Sequence, residues 1–132
     1  MAGSLSNYAE NKVLDDLLVG TKYVGLFTDA AGLTTDQPAT EATTVNCPGY
    51  ARKTVTHAAA ASGVKATNAE VLWTATGAWA TVRYIGVWDA ATAGNLLYWC
   101  DIRIDGTLAT PTLANGEELR IASGTLQVSQ TD

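Results

Sequence analysis

The chain is 132 residues long, enough for one domain that buries its own core without metal or disulfide staples. Charged residues make up only 16 %, well under the roughly 25 % of an average soluble protein, so much of the surface is Thr, Ser, Ala and Gly and suits burial against neighbouring subunits. A formal net charge of -5 with scattered basic residues argues against a domain that neutralises phosphates, and no nucleic-acid partner is expected.

Ser4 to Leu18 reads as the only substantial helix, with a helical segment over residues 4–19. Asn7 and Glu10 have N-cap and N3 spacing, Ser4 and Ser6 compete as caps, and Gly20 stands where a left-handed residue would stop the helix. Val13, Leu14, Leu17 and Leu18 fall on one face, while Asn11, Lys12, Asp15 and Asp16 fall on the other, toward water. Own-sheet packing of the apolar stripe is the preferred reading, with a neighbouring subunit as the alternative.

The β-rich body is expected over residues 22–129. Lys22–Thr28 is a strand candidate with apolar side chains on both faces. From Asp29 to Pro48 no period of two or 3.6 is legible, and the segment reads as a surface excursion and contact loop. Gly49–His57 alternates as a strand, Ala58–Gly63 is a small-residue connector with room for one helical turn, and Thr67–Ala75 is the next strand. Val82–Asp89 and Leu96–Asp105 flank a short Gly94-Asn95 segment, the pattern of a long-loop hairpin. Its near-continuous hydrophobicity requires cover on both faces, and its distal end predicts Ile102 and Ile104 inward with Arg103 and Asp105 in water. Glu117–Ala122 and Thr125–Ser129 complete a single domain over residues 1–132. The fold expected is mainly β, a β-sandwich or jelly-roll-like domain with one N-terminal α-helix.

No catalytic constellation emerges, so no enzyme activity, cofactor or metal is expected. His57 is the only histidine and reads as a strand-surface residue. Asp29 and Asp36 lack the alternating pattern of calcium loops and read as solvated turn carboxylates. Cys47 and Cys100 are too far apart for a CxxC motif; reduced thiols are preferred to a disulfide, since a domain of this size needs no staple. The N-terminus lacks a basic n-region and an apolar h-region, and no run reaches the roughly 18 apolar residues that span a bilayer, so the chain reads as made in the cytoplasm without a membrane partner. Among the tryptophans, Trp79 is the best candidate for an exposed stacking platform; burial in a core or interface is preferred for Trp73, Trp88 and Trp99, which lie within strands. The candidate interface residues are Leu5, Tyr8, Val13, Leu17, Trp79 and Trp88, and a homo-oligomer is expected, a trimer being one allowed form.

The segments Gly3-Ser-Leu-Ser-Asn-Tyr-Ala-Glu-Asn-Lys-Val-Leu-Asp15, Tyr23-Val-Gly-Leu-Phe-Thr28, Gly49-Tyr-Ala-Arg52 and Gly86-Val-Trp-Asp-Ala-Ala-Thr-Ala-Gly-Asn-Leu-Leu97 resemble a family of small tailed-bacteriophage virion proteins commonly labelled tail fibre protein. The chain departs from that pattern after its first strand, where a longer Ala/Thr/Asp loop replaces a Pro-containing turn. The resemblance implies a structural role in the virion, synthesis in the host cytoplasm, and partners among other virion proteins, either the major capsid protein or tail components. A projecting fibre needs a coiled coil, a β-helix or repeats, none of which is present. The physical argument therefore favours a capsid decoration or cement protein, with a tail-tip or fibre module that binds the host surface as the alternative.

Overall fold

The computed structural model describes residues 1, 3–35 and 37–129; Asp36, weighed above as a calcium ligand, lies outside them. Helix α1 runs over Asn7–Leu17. Ser6 is its cap, and the Ser6 hydroxyl accepts the Ala9 N–H at 3.2 Å. With Ser6 in that place, Glu10 sits one position too far along for the Asn7–Glu10 box and is buried instead. The Leu18 N–H closes the last turn on Leu14 O at 3.0 Å, and Gly20 follows at φ +74°.

Among the described residues ten strands follow: β1 (Lys22–Phe27), β2 (Lys53–Val55), β3 (Val64–Ala66), β4 (Val71–Thr74), β5 (Tyr84–Trp88), β6 (Leu96–Asp101), β7 (Arg103–Ile104), β8 (Thr107–Leu108), β9 (Glu118–Ile121) and β10 (Gln127–Ser129). The fold is mainly β with one helix, as expected. Its largest piece is an antiparallel four-stranded sheet in the order β2-β1-β5-β6, and the rest is in two-stranded ribbons, β10-β3, β4-β9 and β7-β8. The second layer of the expected sandwich is thus divided. Two short strands, β3 and β8, fall outside the sequence reading, because three and two residues are too few to show a period. The residues read as a connector with a helical turn instead approach β3 through an Ala61–Val64 bridge.

The central pair β1-β5 has apolar side chains on both faces. Val24, Leu26, Ile85 and Val87 join Val71, Trp73, Leu119, Ile121 and Leu18 in the main core. The opposite face carries Phe27 and Trp88, whose rings stack at 5.9 Å and 21° and are covered by Leu33. Gly25 and Gly86 are opposed in the β1-β5 register and make this layer possible. A Cβ on Gly86 would lie 2.9 Å from the Phe27 ring, and one on Gly25 2.9 Å from Trp88 Nε1. Missing Cβ atoms let two large rings lie flat on the strands, each ring contributing about 2–3 kcal/mol of burial.

The cover for this second face comes from the Asp29–Pro48 segment, most of whose described residues are exposed as a surface excursion requires, while a few are inserted into the cores. Thr28 N–H donates to Thr40 O at 3.0 Å and Ala42 N–H to Leu26 O at 2.8 Å, which binds the returning chain to the free end of β1. Leu33 and Pro38 are buried beneath it. A segment with few apolar residues escapes periodicity reading even when those few are inserted into a core.

Candidate interaction surface

On the helix, Leu14 and Leu18 are buried while Val13 and Leu17 stay 43 % and 42 % exposed, so the apolar stripe is split along its length. The polar face is only partly solvated. Asn11 Oδ1 accepts the Gly63 N–H at 2.9 Å, and Asp15 Oδ1 accepts the Ala60 N–H at 2.9 Å and pairs with Lys65 Nζ at 2.6 Å. Lys65, chiefly by its hydrogen bond, holds the Asp15 carboxyl below the usual carboxylate range. These i, i+4 side chains turn the helix so that Leu14 and Leu18 face inward and Val13 and Leu17 remain on an outer flank. At roughly 100° per residue, Tyr8, 76 % exposed, lies on the opposite flank from Leu17, and Leu5 is exposed ahead of the helix.

Trp79 and Trp88 do not join that surface. Both are 3 % exposed, and the view of Trp79 as an exposed stacking residue is corrected. Trp79 Nε1 donates to Pro48 O at 2.7 Å and its ring meets Tyr50 edge-on at 6.4 Å. Trp99, by contrast, is 38 % exposed although it lies within a strand, because β6 is the last strand of its sheet. Ile104, expected inward, is also exposed, since the chain leaves the sheet for the β7-β8 hairpin after Ile102. In that hairpin Asp105 and Gly106, at φ +53° and +79°, form the two-residue turn.

The most tightly organised polar group centres on Arg52. Its guanidinium donates to Glu41 through Nε and Nη2, each at 2.8 Å, and through Nη1 to the carbonyls of Ala90 and Ala93, each at 2.8 Å. Its Cζ lies over the Trp88 ring, 3.7 Å from the centroid. Tyr50 Oη donates to Glu41 Oε2 at 2.5 Å and accepts the Leu26 N–H at 3.1 Å. Burial first, and then Glu41, pushes the Tyr50 phenol well above its ordinary value, so it stays a donor. The side chains of Arg52 and Glu41 are 8 % and 19 % exposed, and the ensemble ties three loops together. Asp89 closes the hairpin loop on itself, its carboxylate accepting the Asn95 N–H at 2.7 Å. A cleft of about 370 Å³ opens beside the clamp, lined by Thr43, Thr44, Ala91, Thr92 and Ala93 among others. This arrangement is a rivet, in which Arg52, Glu41 and Tyr50 are each paired to another member of the group. Arg52 stood in the Gly49-Tyr-Ala-Arg52 motif, but Glu41 sat in a loop without period and had no sequence signal.

His57 is half-buried, not a strand-surface residue. Its Nε2 lies 2.9 Å from Tyr98 Oη and the two rings meet edge-on at 5.9 Å. Burial, then the positive charges of Lys65 and Lys22, lowers its pKa to about 4. Cys47 and Cys100 are both free thiols. Among the described residues no three His, Cys, Asp or Glu side chains are grouped to hold a metal ion, and no helix is long and apolar enough to cross a membrane.

No curated protein sequence matches the chain. A family model described as Podophage GP4 fiber I protein gp80 matches residues 4–129, from the start of the helical region through the last strand. The chain therefore belongs to the podophage GP4 fibre I protein family and is a structural protein of a tailed-phage virion.

Proposed function

We propose that this chain is a non-enzymatic module of the tail-fibre apparatus, a compact knob or adaptor seated among other tail components. The observation that carries this reading is the fibre-family match over residues 4–129, which favours the tail over the head-decoration reading. The fold supports a knob and not a shaft, since the strands close on two local cores without a repeating unit. The exposed helix flank of Val13 and Leu17 is the seat for a neighbouring virion polypeptide: it is apolar, carried on a rigid element, and braced from behind by Asn11 and Asp15.

Two measurements test the proposal. Quantitative mass spectrometry with labelled-antibody microscopy is expected to find few copies per particle, at the tail; hundreds of copies over the head would restore the decoration reading. A Val13→Lys, Leu17→Lys variant is expected to melt like the wild type yet fail to enter particles. Normal incorporation would remove the helix flank from the assembly surface.

A further inference from the structure

Among the described residues the outer edge of the four-stranded sheet has no partner strand. β6 is its last strand, and the chain continues through Ile102 into β7. Ile102 N–H donates to Arg83 O at 3.4 Å, and Ile102 O accepts the Ala109 N–H at 2.9 Å. Even-numbered residues of this stretch therefore turn their backbone groups inward, to β5 and β8. Because that direction alternates along a strand, the N–H and C=O groups of Trp99, Asp101 and Arg103 point outward. Among the described residues no strand pairs with them on that side. Open edges are usually guarded by charged side chains, above all Lys, by Pro, by bulges or by a covering segment; here the bulge lies at the Leu96 end of β6, the charges are one Asp and one Arg, there is neither Lys nor Pro between Leu96 and Ile104, and Trp99 stands exposed.

The charges on this edge are self-complementary. Asp101 and Arg103 lie on one face, 3.6 Å apart and both open to solvent. We infer that the β6-β7 edge pairs with the same edge of a second copy of this chain, antiparallel, about a two-fold axis through Ile102. Only registers that set outward-pointing residues opposite one another form hydrogen bonds. Centring the pair on Asp101 or on Arg103 opposes like charges, and centring it on Cys100 leaves both charged groups opposite uncharged residues. Centring it on Ile102 places Asp101 opposite Arg103 of the second copy, and Arg103 opposite Asp101 of the second copy, in hydrogen-bonded pairs. The Asp105-Gly106 turn of the second copy then lies beside Trp99 and covers it. Such a contact is isologous and closes at two subunits.

Sedimentation equilibrium of the full chain tests this at roughly 100 µM, well above the dissociation constants of micromolar interfaces. The wild type is expected to be a dimer. Arg103→Asp, which makes positions 101 and 103 both acidic, and Asp101→Arg, which makes them both basic, are each expected to weaken self-association at least ten-fold while melting as the wild type does. An equimolar mixture of the two variants is expected to recover a dimer that neither forms alone. A monomeric or trimeric wild type overturns the inference, as does a dimer that persists in both charge variants or a mixture that stays monomeric.

Discussion

Replacing Arg52 with Ala removes the one side chain that holds three loops together, and the structure sets the expected cost. Removing one partner of a buried ion pair costs about 3–5 kcal/mol, mostly through the charge left behind. Glu41 is 19 % exposed and keeps its Tyr50 hydrogen bond, so the lower end, about 3 kcal/mol, applies here. Loss of the guanidinium from the face of Trp88 adds about 1 kcal/mol. The carbonyls of Ala90 and Ala93 lie near solvent and regain water. The total of about 4 kcal/mol is a large share of the roughly 7–20 kcal/mol expected for 132 residues. At an unfolding entropy of about 2.1 cal/mol/K per residue it lowers Tm by roughly 10–15 °C. Urea and thermal unfolding followed by circular dichroism measure both quantities. Arg52→Lys is expected to fall between wild type and Arg52→Ala, since it keeps the charge but loses the fork and the stack. A double-mutant cycle with Glu41→Gln isolates the pair, with an expected coupling of about 2 kcal/mol. A loss below about 1 kcal/mol in Arg52→Ala, or no coupling in the cycle, would show that the rivet is ornamental and the loops are held by the cores alone.

Gly86→Ala is expected to destabilise by about 1–3 kcal/mol, because its Cβ would meet Leu96 Cδ1 at 2.8 Å and the Phe27 ring at 2.9 Å; an unchanged urea midpoint would mean that the aromatic layer yields freely. Stability is expected to decline as pH falls from about 6.5 to about 4, because His57, lowered to about 4 in the fold, takes up its proton first in the unfolded chain. With screening at this half-buried site the loss is about 1–2 kcal/mol, and it is present in full below that window and absent above it. In His57→Phe this part of the stability-pH curve is expected to flatten; a curve that kept its slope would assign the effect to carboxylates.

The long Asp29–Pro48 segment and the tryptophans mark where sequence reasoning stopped. Among the described residues of the segment only Leu33, Pro38, Ala42 and Cys47 are buried, spaced by the path of a loop and not by any period, so nothing in their order announces a core. For Trp79 and Trp99 the local sequence pointed the wrong way. Flanking small residues suggested exposure for Trp79, yet Tyr50 and the Pro48 carbonyl enclose it from a distant part of the chain. A strand setting suggested burial for Trp99, yet among the described residues its strand has a neighbour on one side only.

What the sequence determined by itself is what depends on near neighbours along the chain. The helix and its stop, the β-rich body, the Val82–Asp105 hairpin and the two-faced character of β1 and β5 all follow from local periodicity and turn chemistry, because backbone geometry converts residue order directly into facing direction. The tertiary structure alone decided which loop covers the aromatic face, that Arg52 meets Glu41 and Trp88, that Asn11 and Asp15 grip the residues before β3, and that β6 is left as an open edge. These depend on which distant segments come together, and a contact between residues far apart in the chain is selected by the packing of the whole core and leaves no period in the sequence.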